Sequence, residues 1–148
     1  MVKKKAIIVD IDGTLADVEH RVHFMHTEPK DWRSFNSNML EDKLNIWCHQ
    51  IMQAMKREGQ EILLVTGRGE KRRLDTENWL HKHNVNYDGL FMRSHADRRE
   101  DFLIKKIIYE ERIAPNYDVL FVLEDRLSVV KMWRSIGLIC LQCDWGDF

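Results

Sequence analysis

The sequence predicts an α/β protein: a doubly wound, mainly parallel sheet, Rossmann-like, with a small insert after its first strand. Three observations predict it. Five short runs rich in Ile, Val and Leu recur along the chain, at residues 5–9, 61–65, 89–92, 119–123 and 138–142; near-continuous apolar runs of this kind mark strands buried on both faces of a parallel sheet. Segments with apolar residues at helical spacing lie between them, and such alternation is the doubly wound pattern. The length, 148 residues, with two prolines and no low-complexity stretch, fits a single domain over 1–148.

In order, the first strand runs from residue 5 to Val9 and ends at Asp10. The alternation then breaks. From Thr14 to about Lys43 the chain carries His20, His23, His26, Pro29 and Trp32 with no sustained period. That is long for a bare connection and reads as a lid-like insert over about 15–43. Leu44, Trp47, Cys48, Ile51, Met52 and Met55 repeat at helical spacing, with Gly59 as the stop. Residues 70–83 form a charged helix anchored by Leu74 and Leu80. Ile104, Ile107 and Ile108 mark a helix that ends before Pro115. Leu127, Val130, Trp133 and Ile136 mark another, stopped at Gly137. Trp47 and Trp133 lie on apolar helical faces and are expected in the core, which leaves Trp32 and Trp145 as the candidate base stackers.

Composition excludes several classes. Hydrophobic residues make up 44% and charged residues 32%, so disorder is not the dominant state. Lys+Arg is 23 against Asp+Glu 24, which excludes a polybasic tail protein but not a local basic groove. No apolar run approaches the roughly eighteen residues of a membrane span. The basic start, Met1–Lys5, enters Ala6-Ile7-Ile8-Val9 and is stopped at once by Asp10, too short for a signal peptide. Three cysteines agree with a reducing, cytoplasmic setting. Cys140 and Cys143 form a CxxC with no second ligand pair, and read as one strand and one loop cysteine. His20, His23 and His26 read as exposed polar residues.

Four motifs carry chemistry. Asp10-Ile11-Asp12-Gly13-Thr14 follows directly on a buried strand, where α/β sheets bind ligands. A carboxylate at the strand tip can act as nucleophile and metal ligand. A second one, two residues on, can serve as general acid/base. Thr66-Gly67-Arg68 closes the second strand, offering a hydroxyl, free N–H groups at a strand tip and helix start, and a guanidinium to an anion. Lys105 stands near a helix start with Asp101 four residues earlier, placed to brace the ammonium. Glu124-Asp125 ends a further strand; adjacent carboxylates need a cation, and an oxygen-rich site suits Mg²⁺.

This ordered set resembles the haloacid dehalogenase-type phosphotransferases. Asp10 and Asp12 match that family's first motif, Thr66 the second, Lys105 the third, and Glu124 with Asp125 the fourth. Toward the C-terminus the chain is similar to phosphatase domains of the phage polynucleotide kinase/3′-phosphatase type, through Ile113-Ala114-Pro115, Glu124-Asp125-Arg126, Val129-Val130-Lys131-Met132-Trp133-Arg134, Gly137, Cys140 and the closing Gly146-Asp147-Phe148.

The resemblance implies an aspartyl-phosphate mechanism. Asp10 attacks phosphorus, and Asp12 protonates the leaving hydroxyl and then deprotonates water. Thr66, Gly67, Arg68 and Lys105 hold the phosphoryl oxygens. Mg²⁺ is held by Asp10, the main-chain carbonyl of Asp12, and Asp125, with Glu124 nearby. Arg21, Arg93, Asp101 and Arg126 are the supporting or nucleic-acid-binding candidates. The implied substrate is a polynucleotide 3′ end, bearing a 3′-phosphate or a 2′,3′-cyclic phosphate, with room for a separate kinase or ligase as partner. Two departures stand out. Glu124 replaces an aspartate of the resembled pattern, and no GxxxxGK[ST] occurs, so no ATP-dependent 5′-kinase activity is expected.

Two features favour a chain end over a metabolite. The insert is small for an enclosing cap. Basic residues also gather near the predicted site edge: Arg68, Lys71, Arg72 and Arg73, then Arg93, Arg98 and Arg99. The alternative is a nucleotide or other small-molecule phosphatase. A non-catalytic scaffold is disfavoured because both Asp10 and Asp12 are present.

Overall fold

The computed structural model describes residues 2–145. Seven strands and five α-helices are arranged as β1 (Lys4–Val9), β2 (Ala16–Asp17), α1 (Trp32–Ser37), β3 (Lys43–Leu44), α2 (Ile46–Arg57), β4 (Glu61–Gly69), α3 (Arg73–Lys82), β5 (Gly89–Arg93), α4 (Asp101–Ile108), β6 (Tyr117–Glu124), α5 (Leu127–Ser135) and β7 (Cys140–Gln142). The main sheet has the order β5-β4-β1-β6-β7, and every neighbouring pair in it is parallel. The sequence expectation of a doubly wound parallel sheet holds.

Strand alternation divides the core into two layers. Ile7 and Val9 of β1 pack on one face with Cys48 and Met52 of α2 and Trp79 and Leu80 of α3. Ala6 and Ile8 pack on the other with Ile104 of α4 and Val129, Val130 and Trp133 of α5. Both faces of β1 are therefore dry, which explains its unbroken apolar run. Its C-terminal end, where the run stops at Asp10, lies between the ends of β4 and β6.

The segment between β1 and α2 is bounded by an antiparallel pair, Ala16↔Leu44 and Asp17↔Lys43. Between these strands run a 3₁₀ helix (Glu19–His26), α1 and a second 3₁₀ turn (Met39–Glu41). Met25, Phe35 and Met39 are buried there beside a fully buried arginine, Arg21.

Several local expectations are corrected. Trp47 is 41% exposed, because Cys48 and Met52 take the inward face of α2 and Trp47, one residue earlier, is turned about 100° away. Leu74 is 68% exposed, while Thr76, Trp79 and Leu80 bury that helix instead. β4 continues through Thr66-Gly67-Arg68 to Gly69 with a register shift after Val65. A 3₁₀ turn (Glu70–Arg72) separates it from α3, so Thr66 does not stand at a helix start. β7 begins at Cys140, since the Leu138 N–H still caps α5 by donating to the Trp133 carbonyl. Cys140 is a buried strand residue and Cys143 a half-buried loop residue; both are free thiols. The Gly146-Asp147-Phe148 match lies outside the described residues.

Candidate active site

Three strand ends and one helix converge on Asp10. The Asp10 N–H donates to the Leu123 carbonyl of β6 at 3.0 Å. Its carboxylate accepts from Lys105 Nζ (Oδ1, 2.7 Å) and from Thr14 Oγ1 (Oδ2, 3.0 Å). The Thr14 hydroxyl also lies 3.3 Å from Asp125 Oδ1, tying the first and last motifs together. Lys105, fully buried, reaches Glu124 Oε1 at 2.8 Å as well. The expected Asp101 brace does not form. Asp101 accepts from Arg93 Nη2 through one oxygen and from Arg126 Nη1 (2.7 Å) through the other.

Gly13 explains why this turn admits no side chain. Its φ is +84°, and a Cβ there would fall 2.1 Å from Asp125 Oδ2. Gly67 is similarly constrained: a Cβ would meet the Asp101 carboxylate at 2.6 Å. The Thr66 hydroxyl accepts from the Arg68 N–H at 3.1 Å, while Gly67 and Arg68 line the cleft.

Asp12 faces a different set of groups. It accepts from Arg21 Nη2 at 2.5 Å and from Arg68 Nη2 at 2.7 Å. Arg21 is held by Asp42 through Nε (2.8 Å) and Nη2 (2.6 Å), by the Phe35 carbonyl (3.1 Å), and over the Phe35 ring. Arg68 is steadied by the Thr76 hydroxyl at 3.1 Å. Burial pushes the Asp12 carboxyl up, but the Arg68 and Arg21 guanidiniums outweigh it and hold the group well below the ordinary carboxylate range.

Asp10, Glu124 and Asp125 each present an oxygen, all within 4.8 Å of one another and all buried. Burial, reinforced by the Asp10 charge, pushes Asp125 up to about 10 and Glu124 up to about 7. Among the described residues, Lys105 is the one cation bonded within this triad. Its ammonium is held protonated: burial lowers it, but Asp10 and Glu124 raise it by more. The surrounding cluster gathers five carboxylates (Asp10, Asp12, Asp42, Glu124, Asp125) against three cations (Arg21, Arg68, Lys105). With all five carboxylates ionised the cluster lacks two positive charges. Without a cation Glu124 and Asp125 meet that lack by holding protons, and a hard, all-oxygen donor set of this kind fits a divalent cation that would displace them. The Asp12 side chain, turned to its arginines, is not part of that set.

The predicted basic edge is largely paired. Arg68 is on Asp12, Arg73 on Glu70, Arg93 on Asp101 and Arg99 on Asp97. Lys71 and Arg98 line the cleft with no ion pair among the described residues. Sequence reasoning missed three groups. Asp42, buried in the insert, orients Arg21. Thr14 bridges Asp10 and Asp125. Trp133 donates Nε1–H to Glu124 at 3.4 Å. Only Thr14 carried a signal, as part of the DxDGT string. The cleft, about 810 Å³, has the Asp10, Lys105 and Asp125 cluster in its lining, with the insert and the loop after β5 contributing to its walls.

Comparison with known proteins places this geometry. The family model of the polynucleotide kinase PNKP phosphatase domain matches residues 4–148. A protein of Autographa californica nuclear polyhedrosis virus named "Putative bifunctional polynucleotide kinase/RNA ligase" is 25% identical over 136 residues, covering 90% of this chain and 18% of that protein. A chain in the Pnkp1/Rnl/Hen1 complex superposes with a TM-score of 0.86 at 36% identity, covering 100% of this chain and 48% of that one. The class C acid phosphatase of Bacillus anthracis shares the fold at a TM-score of 0.65 and 18% identity, over 87% of this chain and 54% of its own. The chain thus spans less than half the length of the polynucleotide kinase and RNA repair relatives it matches.

Proposed function

The chain belongs to the polynucleotide kinase PNKP phosphatase-domain family, and from that premise we propose that it is a Mg²⁺-dependent phosphomonoesterase that removes 3′-phosphate from polynucleotide ends in nucleic-acid repair. The observation that carries this reading is the Asp10 carboxylate. It stands at a strand tip between a buried ammonium and two further carboxylates, with a second, arginine-held carboxylate two residues away.

Asp10 is the nucleophile. Its attack on phosphorus forms an aspartyl phosphate and expels the sugar hydroxyl. Lys105 holds the Asp10 carboxylate and balances charge on the transferring phosphoryl group, and Gly67 and Arg68 border the space that group enters. Asp10 and Asp125, with the Asp12 main-chain carbonyl, would hold Mg²⁺, which would supply charge neutralisation when bound. Glu124 orients Lys105.

Asp12 carries the proton. In the free site two guanidiniums keep it ionised, the state needed to deprotonate the water that hydrolyses the intermediate. A phosphate dianion arriving beside Arg68 competes for that guanidinium and raises the proton affinity of Asp12, which takes a proton from solvent and delivers it to the leaving sugar oxygen, returning to the ionised state that then accepts the proton of the attacking water. The insert over 15–43 acts as the lid-like wall that supplies Arg21. A separate kinase or ligase would act on the healed end.

The test compares the purified chain and its Asp10→Asn variant with Mg²⁺ on a 3′-phosphorylated oligonucleotide, the same oligonucleotide phosphorylated at 5′, and a 3′-mononucleotide. Phosphate release from the first, much faster than from the others and lost in the variant, is the expected result. Equal or better turnover of the mononucleotide would overturn the polynucleotide reading in favour of a nucleotide phosphatase.

A further inference from the structure

Resting on the reading of the site as one for polynucleotide ends, we infer that Trp32 is the platform on which the nucleobase of the terminal nucleotide stacks. Trp79 and Trp133 are fully buried and donate their indole N–H groups to Asp42 and Glu124. Trp32 is instead 44% exposed and lines the cleft that contains Asp10 and Asp12. A large aromatic surface left open beside the reacting groups offers a π-face to a flat ligand.

The ring is held rather than free. It packs edge-on against Phe35, with centroids 5.9 Å apart and planes at 89°. Phe35 is 2% exposed, its ring lies 4.2 Å from the Arg21 guanidinium, and its carbonyl accepts from Arg21 Nη1. Arg21 in turn holds Asp12. The platform and the acid/base group are therefore fixed by one short run of contacts, so the ring is ordered before any ligand arrives.

The neighbours specify the ligand's chemistry. Lys30 Nζ lies over the Trp32 ring, 5.9 Å from its centroid, a position the flexible ammonium gives up to a backbone phosphate when a base takes that face. Asn36, one turn further along α1, lines the same space, as do Lys71 and Arg98 from elsewhere on the wall. An aromatic face flanked by cations and an amide matches a base joined to a phosphodiester backbone. It does not match a purely apolar partner, which would need a contiguous apolar patch.

The experiment measures kcat/KM on two oligonucleotides carrying the same 3′-phosphate, one with an intact terminal nucleotide and one abasic at that position. The ratio of the two is read, so partial loss of folded enzyme cancels. The wild-type chain is expected to prefer the base-bearing end by about tenfold, within the range of base–aromatic stacking. Trp32→Ala should remove that preference, Trp32→Phe should retain most of it, and Trp145→Ala, which changes an 86% exposed ring, should leave it intact. A preference that survives in Trp32→Ala, or is absent from the wild-type chain, would overturn the inference while leaving the phosphatase reading standing. Phosphate release from neither oligonucleotide by the wild-type chain would overturn both.

Discussion

Lys105 and Asp10 meet at 2.7 Å across 95 residues of sequence, and the same ammonium is bonded to Glu124 at 2.8 Å. One buried cation thus joins the first and fourth motifs through the third. Its two partners are unequal in the proposed chemistry: Asp10 reacts, whereas Glu124 holds the lysine in place. A double-mutant cycle separates these roles. Glu124→Gln should lower kcat roughly tenfold and Lys105→Ala roughly a hundredfold or more. The double variant should be no slower than Lys105→Ala alone. Additive losses would show that Glu124 acts independently of the lysine.

Removing metal should make stability depend on pH. Burial and the Asp10 charge push Asp125 from 3.8 to about 10 and Glu124 from 4.5 to about 7. The native state then retains protons that the unfolded chain has released. The contribution of these two groups is full below their unfolded values of 3.8 and 4.5 and is lost as pH rises, through Glu124 toward 7 and through Asp125 toward 10. In chelator, the thermal midpoint should therefore fall between pH 5 and pH 9. Saturating Mg²⁺ should flatten the slope and raise the midpoint at pH 8 by roughly 5 °C or more. A midpoint indifferent to both chelator and pH would count against the carboxylate triad as the metal site.

Gly13→Ala is expected to spare the fold and damage the site. The new methyl would need a positive φ and would displace the Asp125 carboxylate, 2.1 Å from its Cβ. A shift of about 1 Å in such a group costs on the order of a hundredfold in rate. Far-ultraviolet circular dichroism should remain native while phosphate release falls by that factor.

Arg21→Ala should be costly to the fold itself. The side chain is fully buried and satisfies Asp42, Asp12 and the Phe35 carbonyl. Truncation leaves the buried Asp42 with His20 (2.7 Å) and Arg68 (3.5 Å) as its basic neighbours, at a cost of about 3 kcal/mol, the low end for a broken buried pair. Urea denaturation would read the loss directly. Arg21→Ala paired with Asp42→Asn should recover part of it, because the stranded charge is removed.

The sheet was legible because buried parallel strands leave long apolar runs, and the DxDGT and Glu124-Asp125 strings sit at the ends of two such runs. The partners of those residues were less legible. Asp101 precedes Lys105 by one helical turn and competes as a local signal, yet the lysine finds Asp10 and Glu124 only through the parallel order of β4, β1 and β6. Asp42 stands in a stretch without period, so nothing local marks it as the anchor of Arg21. Thr66 looked like a helix entry because the shift in register after Val65 leaves no trace in composition. Trp47 and Trp79 differ by which side of a helix the insert and sheet cover, a tertiary fact.

The two-residue pairing of Ala16–Asp17 with Lys43–Leu44 has an evolutionary consequence. Because this two-stranded pair, separate from the main sheet, closes the ends of the insert on each other, its length can change without displacing β1 or α2, at a loop-closure cost that grows only slowly with length. The nucleophile, lysine and acidic pair lie outside that detour, whereas Arg21, Asp42 and Trp32 lie inside it. The reacting carboxylates and lysine and the arginine that supports Asp12 thus come from different stretches of chain, so a rewritten detour would change the wall met by a substrate and the setting of Asp12 together.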